Sequence, residues 1–423
     1  MPTFVIVGAS LAGAKAAETL RDEGFDGEIV LLGSELELPY ERPDLSKGYL
    51  LGKVERDSLY VHPGGWYAEH HMDVRPGVTV TEIDRPGAAV VTSGPAGTQT
   101  LRYDKLLLTT GASPRRLQVP GADTDGILYL RTLADSQRLR SALQPGTRVV
   151  IAGAGWIGLE TAAAARLAGC PVTVVEVRPG ALHDQVGPEL GAIFAGLHAE
   201  HGVVFRFGEA ITEIRGSGDA ASSGQASGLS GAEPRVASVV TSGGAELPAD
   251  VVIAAIGAAP NDELAAPAGL EVDNGILTDA ALRTSDPDIL AAGDVANSFN
   301  PLLGRRVRVE HWANALHGGP AAARSMLGQP VSYDRVPYFY SDQYDLGMEC
   351  SGLPAPGSYD QVVYRGDREG LQFIAFWLSG GAVVAGMNVN VWDVTADIQA
   401  LIRSGRQADL SRLTDPAIPL ADV

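Results

Sequence analysis

The chain has 423 residues, enough for two or three domains, and its 45% hydrophobic and 20% charged content is that of a soluble globular protein. A formal net charge of −19 repels polyanions, which argues against nucleic acid and anionic membrane as partners and requires a local basic patch for any acidic partner. No apolar run reaches the ~18 residues of a membrane helix, and the N-terminus lacks the basic and apolar runs of a signal peptide, so a cytoplasmic protein is expected.

The first predicted element is the strand FVIVG. It runs into the turn GASLAG, Gly8 to Gly13, then into an Ala-rich helix and a second strand, EIVLLG. The spacing is that of a dinucleotide-binding turn, whose middle glycine lets the backbone approach a pyrophosphate. Here the middle residue is Ser10, the smallest side chain that adds a hydroxyl donor beside a phosphate. Glu35 follows the second strand as the candidate ribose acid. Further along, YDKLLLTTGASPR is an apolar strand that ends at Thr110 and Gly111.

The same opening recurs at residues 148–178, where RVVIA leads into GAGWIG, Gly153 to Gly158. This turn carries all three glycines, Gly153, Gly155 and Gly158, and Glu176 ends the next strand. A carboxylate there accepts hydrogen bonds from the ribose hydroxyls and repels a 2′-phosphate, which favours NADH over NADPH; Arg178 stands nearby. Two such units predict two nucleotide-binding domains, and together with AAGDVA, residues 291–296, they support GASLAG as a working pyrophosphate site. Residues 216–233 are rich in Gly, Ser and Ala and predict a mobile insertion. ADVVIAAIGAAPND repeats the strand-to-glycine pattern and ends at Gly257. After about residue 326, short strands and the helix DVTADIQALIRSG predict an α+β domain.

Cys170 and Cys350 are the two cysteines, and they form no CxxC or CxxxxC pair. That excludes a cysteine-based metal site and a redox dithiol of local spacing. Cys170, between a helix and a strand, is expected in the core. No Ser-His-Asp arrangement and no metal-ligand cluster is evident, and no metal is expected.

The whole length resembles the FAD-dependent, NADH-linked ferredoxin reductases that serve bacterial P450s and aromatic-ring dioxygenases, with apoptosis-inducing factor as a more distant relative. The motifs are ERPDLSKGYL, TTGASPR, GWIGLE, AAGDVA, VEHWANA and FYSDQYD. The chain departs from the family pattern at Asp44, at Ser10, at Tyr340 and at Ser34, where Glu35 is expected to substitute one residue later. The resemblance implies an α/β fold of two Rossmann-like domains and a C-terminal α+β domain. Residues 1–113 and 250–325 would bind FAD, 114–249 would bind NADH, and 326–423 would form the third domain.

It also implies roles for individual residues. Asp294 would hydrogen-bond the ribityl chain of FAD. Lys47 would approach the flavin ring and pair with Glu160, the two acting as the catalytic pair. Arg42, Thr110, Gly111, Gly257 and Gly293 fall in the family's cofactor-binding motifs, and Ala12, Val80, Arg131 and Trp312 fall where it contacts FAD. Trp156, followed by Ile157, stands where relatives carry an aromatic over the nicotinamide. His311 is expected as a hydrogen-bonded structural histidine.

The implied reaction is hydride transfer from NADH to the flavin, followed by single-electron transfer to a ferredoxin. Arg305, Arg306 and Arg308 are candidate docking cations for that acidic partner, and the reductase itself would be a monomer or homodimer. Other readings stay open: a different acceptor such as rubredoxin or a quinone, an apoptosis-inducing-factor-like redox sensor, or a pyridine-nucleotide binder without flavin.

Overall fold

The computed structural model describes residues 1–217 and 235–423; residues 218–234, and with them nearly all of the expected 216–233 insertion, lie outside the described residues. The described residues divide into two compact units. The first comprises Met1–Glu41, Arg56–Ser113 and Ala259–Phe339, and the second Arg42–Glu55, Pro114–Ala258 and Tyr340–Val423.

The first unit is built on a five-stranded sheet in the order Ile289–Ala291, Lys105–Leu108, Thr3–Val7, Glu28–Gly33, Met72–Pro76. Every pairing is parallel, so the strands need crossovers and are covered on both faces. Continuous apolar runs such as FVIV satisfy that demand, and Val5, Ile6, Leu31 and Leu106 are wholly buried. The helix Leu11–Asp22 makes the first crossover. Its buried face is mostly alanine and glycine, which lets the helix Trp312–Met326 come close: a Cβ on Gly319 would stand 2.2 Å from the Ala12 carbonyl oxygen. An antiparallel sheet of Thr79–Asp84, Ala89–Gly94 and Gly97–Arg102 adds Val80 to the core around Val5, Val30 and Leu106.

The second unit repeats the plan. Its parallel sheet runs Val203–Phe207, Val172–Glu176, Val149–Ala152, Val251–Ala254, Ile127–Leu128. Four strands follow the same chain order in both sheets. The remaining edge is filled by a later strand in the first unit and by an earlier one in the second. Val251–Ala254, which the sequence reading puts with the segment returning to the first domain, completes this sheet instead, and the chain leaves the unit after Ala258. The physical reason is its four fully apolar positions, all buried, which fit only a sheet interior.

A third five-stranded sheet has the order Tyr338–Gln343, Leu346–Gly352, Ala382–Val389, Gln372–Ser379, Gln361–Asp367, and the helix Thr395–Ser404 packs on it through Ile398 and Ile402. This is the α+β region expected near the C-terminus. Cys170 and Cys350 are both buried and neither is in a disulfide. Among the described residues no helix is long and apolar enough to cross a membrane.

Candidate functional site

In the first unit the strand Thr3–Val7 enters its turn at Gly8, whose φ is +120°. A Cβ there would stand 2.1 Å from the Thr109 carbonyl oxygen, and one on Gly13 would stand 2.2 Å from the Gly8 carbonyl oxygen. Both glycines are therefore demanded by backbone packing between strand and helix. Ser10 differs: it is the N-cap of the helix, in an extended conformation, and its side chain caps nothing. The first-turn N–H groups of such a helix face outward without intrahelical partners, which makes the turn an anion cradle.

Gly293 and Asp294 arrive at the same place. A Cβ on Gly293 would meet the Ala12 Cβ at 3.3 Å. Asp294 is buried, and its carbonyl accepts from Arg308 Nη1 at 3.3 Å. The unit therefore brings Gly8, Ser10, Ala12, Gly13, Gly293 and Asp294 together. Two buried nitrogens, Arg308 Nε and His311 Nδ1, have no protein partner, so this part of the unit holds donor and acceptor capacity that the protein leaves unused. Burial lowers the His311 pKa to about 4. His311 lies against Phe339, and its buried Nδ1 lacks the hydrogen bond expected of it.

The remaining expected residues of the first unit are spread around this turn. Glu35 Oε2 accepts from the buried Tyr40 hydroxyl at 2.6 Å, which commits one carboxylate oxygen. Thr110 Oγ1 donates to the Asn261 carbonyl (2.7 Å), Asn261 N donates to the Gly111 carbonyl (2.9 Å), and Gly111 has φ +72°. Val80 is core. Trp312 begins its helix and donates Nε1–H to Glu41 Oε2 at 2.8 Å.

In the second unit the complete turn follows the same packing. A Cβ on Gly153 (φ +99°) would stand 2.3 Å from the Ala255 carbonyl oxygen, and one on Gly158 would stand 2.1 Å from the Gly153 carbonyl oxygen. A Cβ on Gly155 would meet only Gln185 Nε2, at 3.8 Å, so room remains above the turn. Glu176 is fixed at its mouth: Oε2 accepts from Ala154 N at 2.6 Å and Oε1 from Arg178 N at 2.8 Å. Each carboxylate oxygen keeps capacity for a ribose hydroxyl. His183 Nδ1, one residue past Leu182, which binds the turn, is buried without a protein partner. Trp156 starts the helix Trp156–Leu167 edge-on to Phe194, and its neighbour Ile157 is exposed. Gly257, φ +93°, accepts from Arg115 N at 2.9 Å.

The second unit also assembles a buried polar cluster on that helix. Lys47 Nζ lies 2.8 Å from Glu160 Oε1, and Glu160 is 4% exposed. Ser46 Oγ donates to Glu160 Oε2, and Ser341 Oγ donates to Oε1 at 2.7 Å. The chain of donors continues: Gln343 Nε2 donates to Ser341 Oγ (3.1 Å), and His198 Nε2 donates to Gln343 Oε1 (2.8 Å). Burial lowers the His198 pKa to about 4, so the imidazole is neutral near neutral pH. Lys47 Nζ also sits 5.5 Å from the Tyr340 ring centroid. Arg42 and Arg131 meet close by, Arg42 Nη1 donating to the Arg131 carbonyl at 2.6 Å. The expected Lys47–Glu160 pair is present. Ser46, Ser341, Gln343 and His198 were not anticipated as its support, although Ser46 lies in LSK and Ser341 and Gln343 in FYSDQYD, which are motifs already singled out.

The arginine cluster is narrower than expected. Arg305–Arg308 is a strand in the first unit, antiparallel to Ala296–Asn300. Arg308 is mostly buried and paired with Glu310, so its charge is spent within the fold. Arg306 reaches the Thr278 and Asn297 carbonyls, and Arg305 is exposed. Among the described residues no cluster of His, Cys, Asp or Glu could hold a metal ion.

Comparison with known proteins gives a consistent result. The pyridine nucleotide-disulphide oxidoreductase family matches residues 2–319, and the reductase C-terminal family matches residues 338–423. The ferredoxin–NAD(+) reductase component of the anthranilate 1,2-dioxygenase system of Burkholderia cepacia is 40% identical over 99% of this chain and 98% of its own. The crystal structure of the covalent putidaredoxin reductase–putidaredoxin complex has a TM-score of 0.90 at 35% identity, covering 99% of this chain and 97% of that one. The ferredoxin reductase for the CYP199A2 system of Rhodopseudomonas palustris has a TM-score of 0.91 at 34% identity, over the full length of both chains.

Proposed function

Given that the chain belongs to the pyridine nucleotide-disulphide oxidoreductase family, we propose that it is an NADH-dependent FAD flavoprotein, a ferredoxin–NAD(+) reductase that supplies a P450 or Rieske-type oxygenase system. The observation that carries this reading is the duplicated turn: two strand–glycine–helix units, each with an uncapped helix N-terminus and glycines demanded by backbone packing. When bound, FAD supplies the chemistry of accepting a hydride from NADH and releasing electrons singly.

The protein's part is to hold and orient. The residues around Gly8–Gly13 and Asp294 fit the pyrophosphate and ribityl ends of FAD, and the unused buried nitrogens of Arg308 and His311 fit a polar group there. Gly153–Gly158 and Glu176 fit the pyrophosphate and adenosine ribose of NADH. The Lys47–Glu160 pair is held within the second unit by Ser46 and Ser341. Cys170 and Cys350 form no disulfide with each other, so no dithiol relays the electrons and an external acceptor, a ferredoxin, takes them. Arg305 and Arg306 are the docking cations for that acidic partner. The reductase works in the cytoplasm as a monomer or homodimer.

The test is NADH-driven cytochrome c reduction by purified, yellow protein, with and without a [2Fe–2S] ferredoxin. Ferredoxin should raise the rate, NADH should outperform NADPH, and Glu176→Ala should narrow that gap. A colourless protein, or equal kcat/KM for the two nucleotides, would sink the proposal.

A further inference from the structure

The strand that ends in the ribose acid continues as Glu176, Val177, Arg178. A carboxylate at this place repels a 2′-phosphate, while a guanidinium nearby is the group that accommodates one, through its planar fork of donors. The chain carries both within two residues, so sequence order alone does not decide between NADH and NADPH.

The geometry resolves the conflict around one residue, Ala154, in the middle of the glycine turn. Its N–H holds Glu176 Oε2 at 2.6 Å. Its carbonyl accepts from Leu182 N at 3.0 Å. Leu182 is buried and caps the single helical turn His183–Val186, accepting from Gln185 N and Val186 N at 3.0 Å each, while Val186 is also buried. Asp184 is on this anchored turn. Its Oδ2 accepts from Arg178 Nε at 2.6 Å. The Arg178 backbone is pinned as well, its N–H on Glu176 Oε1 and its carbonyl on Gly208 N. The guanidinium thus has a fixed root and a fixed acidic partner, and both hang from the nucleotide turn.

We infer that Asp184 is a positioning residue that sets nucleotide specificity: by holding the Arg178 guanidinium it denies that cation to a 2′-phosphate and enforces NADH over NADPH. The inference rests on reading the second turn as the NADH site. Removing Asp184 releases the Nε contact that fixes the orientation of the guanidinium. The pair is about half exposed on each side, 56% and 46%, so it can be opened without disturbing the core, and the effect is that of an exposed pair.

The test uses purified, flavin-loaded protein carrying Asp184→Ala, Asp184→Asn or the double change Arg178→Ala/Asp184→Ala. Calorimetric titration with 2′,5′-ADP against 5′-AMP isolates the 2′-phosphate without turnover. Both single variants should bind 2′,5′-ADP roughly fivefold tighter, with 5′-AMP within about twofold of the parent. The kcat/KM for NADPH should rise by a similar factor through KM, at unchanged kcat. The double variant should lose the gain. Unchanged 2′,5′-ADP affinity in both single variants overturns the inference, as does a gain that survives in the double variant. Glu176→Ala separates the two levels of failure. If it shifts the NADH-to-NADPH ratio while the Asp184 variants do not, only the role of Asp184 falls. If it too leaves the ratio unchanged, the reading of the turn falls first.

Discussion

The two glycine turns share their outer positions and differ in the middle. Gly8 and Gly153 both have positive φ and both lie against a carbonyl of a neighbouring strand end, Thr109 in one unit and Ala255 in the other. The middle residues, Ser10 at φ −131° and Gly155 at φ −79°, are both in extended backbone that any residue adopts. The outer glycines therefore belong to the fold, because strand and helix cannot pack otherwise. The middle one answers to the ligand, through how closely a phosphate can approach, and this is why Ser10 is tolerated in an otherwise intact turn.

The positions beyond the turns diverge further. Two residues past the last glycine stand Lys15 in the first helix and Glu160 in the second. Lys15 pairs with Glu18 near the surface, whereas Glu160 is buried and takes hydrogen bonds or charge from Ser46, Lys47 and Ser341. The largest expected effect tests this contrast. Lys47→Ala leaves the Glu160 carboxylate buried without its cation and should cost about 3–5 kcal/mol in urea unfolding. Lys15→Ala should cost under ~1 kcal/mol. Similar losses would show that the Glu160 cluster is no more committed than a surface pair.

Next in size is the division of labour among the glycines. Gly13→Ala and Gly158→Ala press a Cβ to 2.2 Å and 2.1 Å from a backbone carbonyl oxygen, and each should destabilise by about 2–3 kcal/mol. Gly155→Ala makes only an ordinary contact with Gln185 Nε2 and should stay within ~0.5 kcal/mol of the parent while weakening NADH binding. An equal stability loss at 155 and 158 would break the distinction between fold glycines and ligand glycines.

The smallest effect compares two histidines with lowered pKa values, His311 in the first unit and His198 in the second. Burial lowers each to about 4, against an ordinary value of 6.5. The unfolded chain therefore takes up protons before the folded one does. The stabilisation is whole above pH 6.5 and drains away as pH falls toward 4. Between pH 6.5 and 5 each should account for about 1.5 kcal/mol. His198→Gln keeps a donor toward Gln343 and should remove its share of that slope in denaturation curves at the two pH values. A parent whose stability is flat over this interval would contradict the neutral state of both rings.

Much was legible in the sequence because the signals are local. Apolar strands, glycine spacing and alanine-rich helices follow one another within a single βαβ unit, so both nucleotide turns and Glu176 could be read directly. Lys47 and Glu160 were read through family motifs rather than from periodicity. What tertiary structure alone decided were partnerships between distant segments. Ser341 reaches Glu160 across 181 positions, and Trp312 reaches Glu41 across 271. Arg308 looked like a free docking cation in GRRVRVEHW; besides its near neighbour Glu310, it reaches the Asp294 carbonyl, 14 positions back. Val251–Ala254 looked like the start of a return and is the fourth strand of the second sheet. The reason is physical. Periodicity and turn chemistry are properties of neighbours along the chain, and they determine which elements form. The partner of a charged or polar side chain depends on which crossover brings which strand end beside it, and that is decided only when the parallel sheets close over their buried faces.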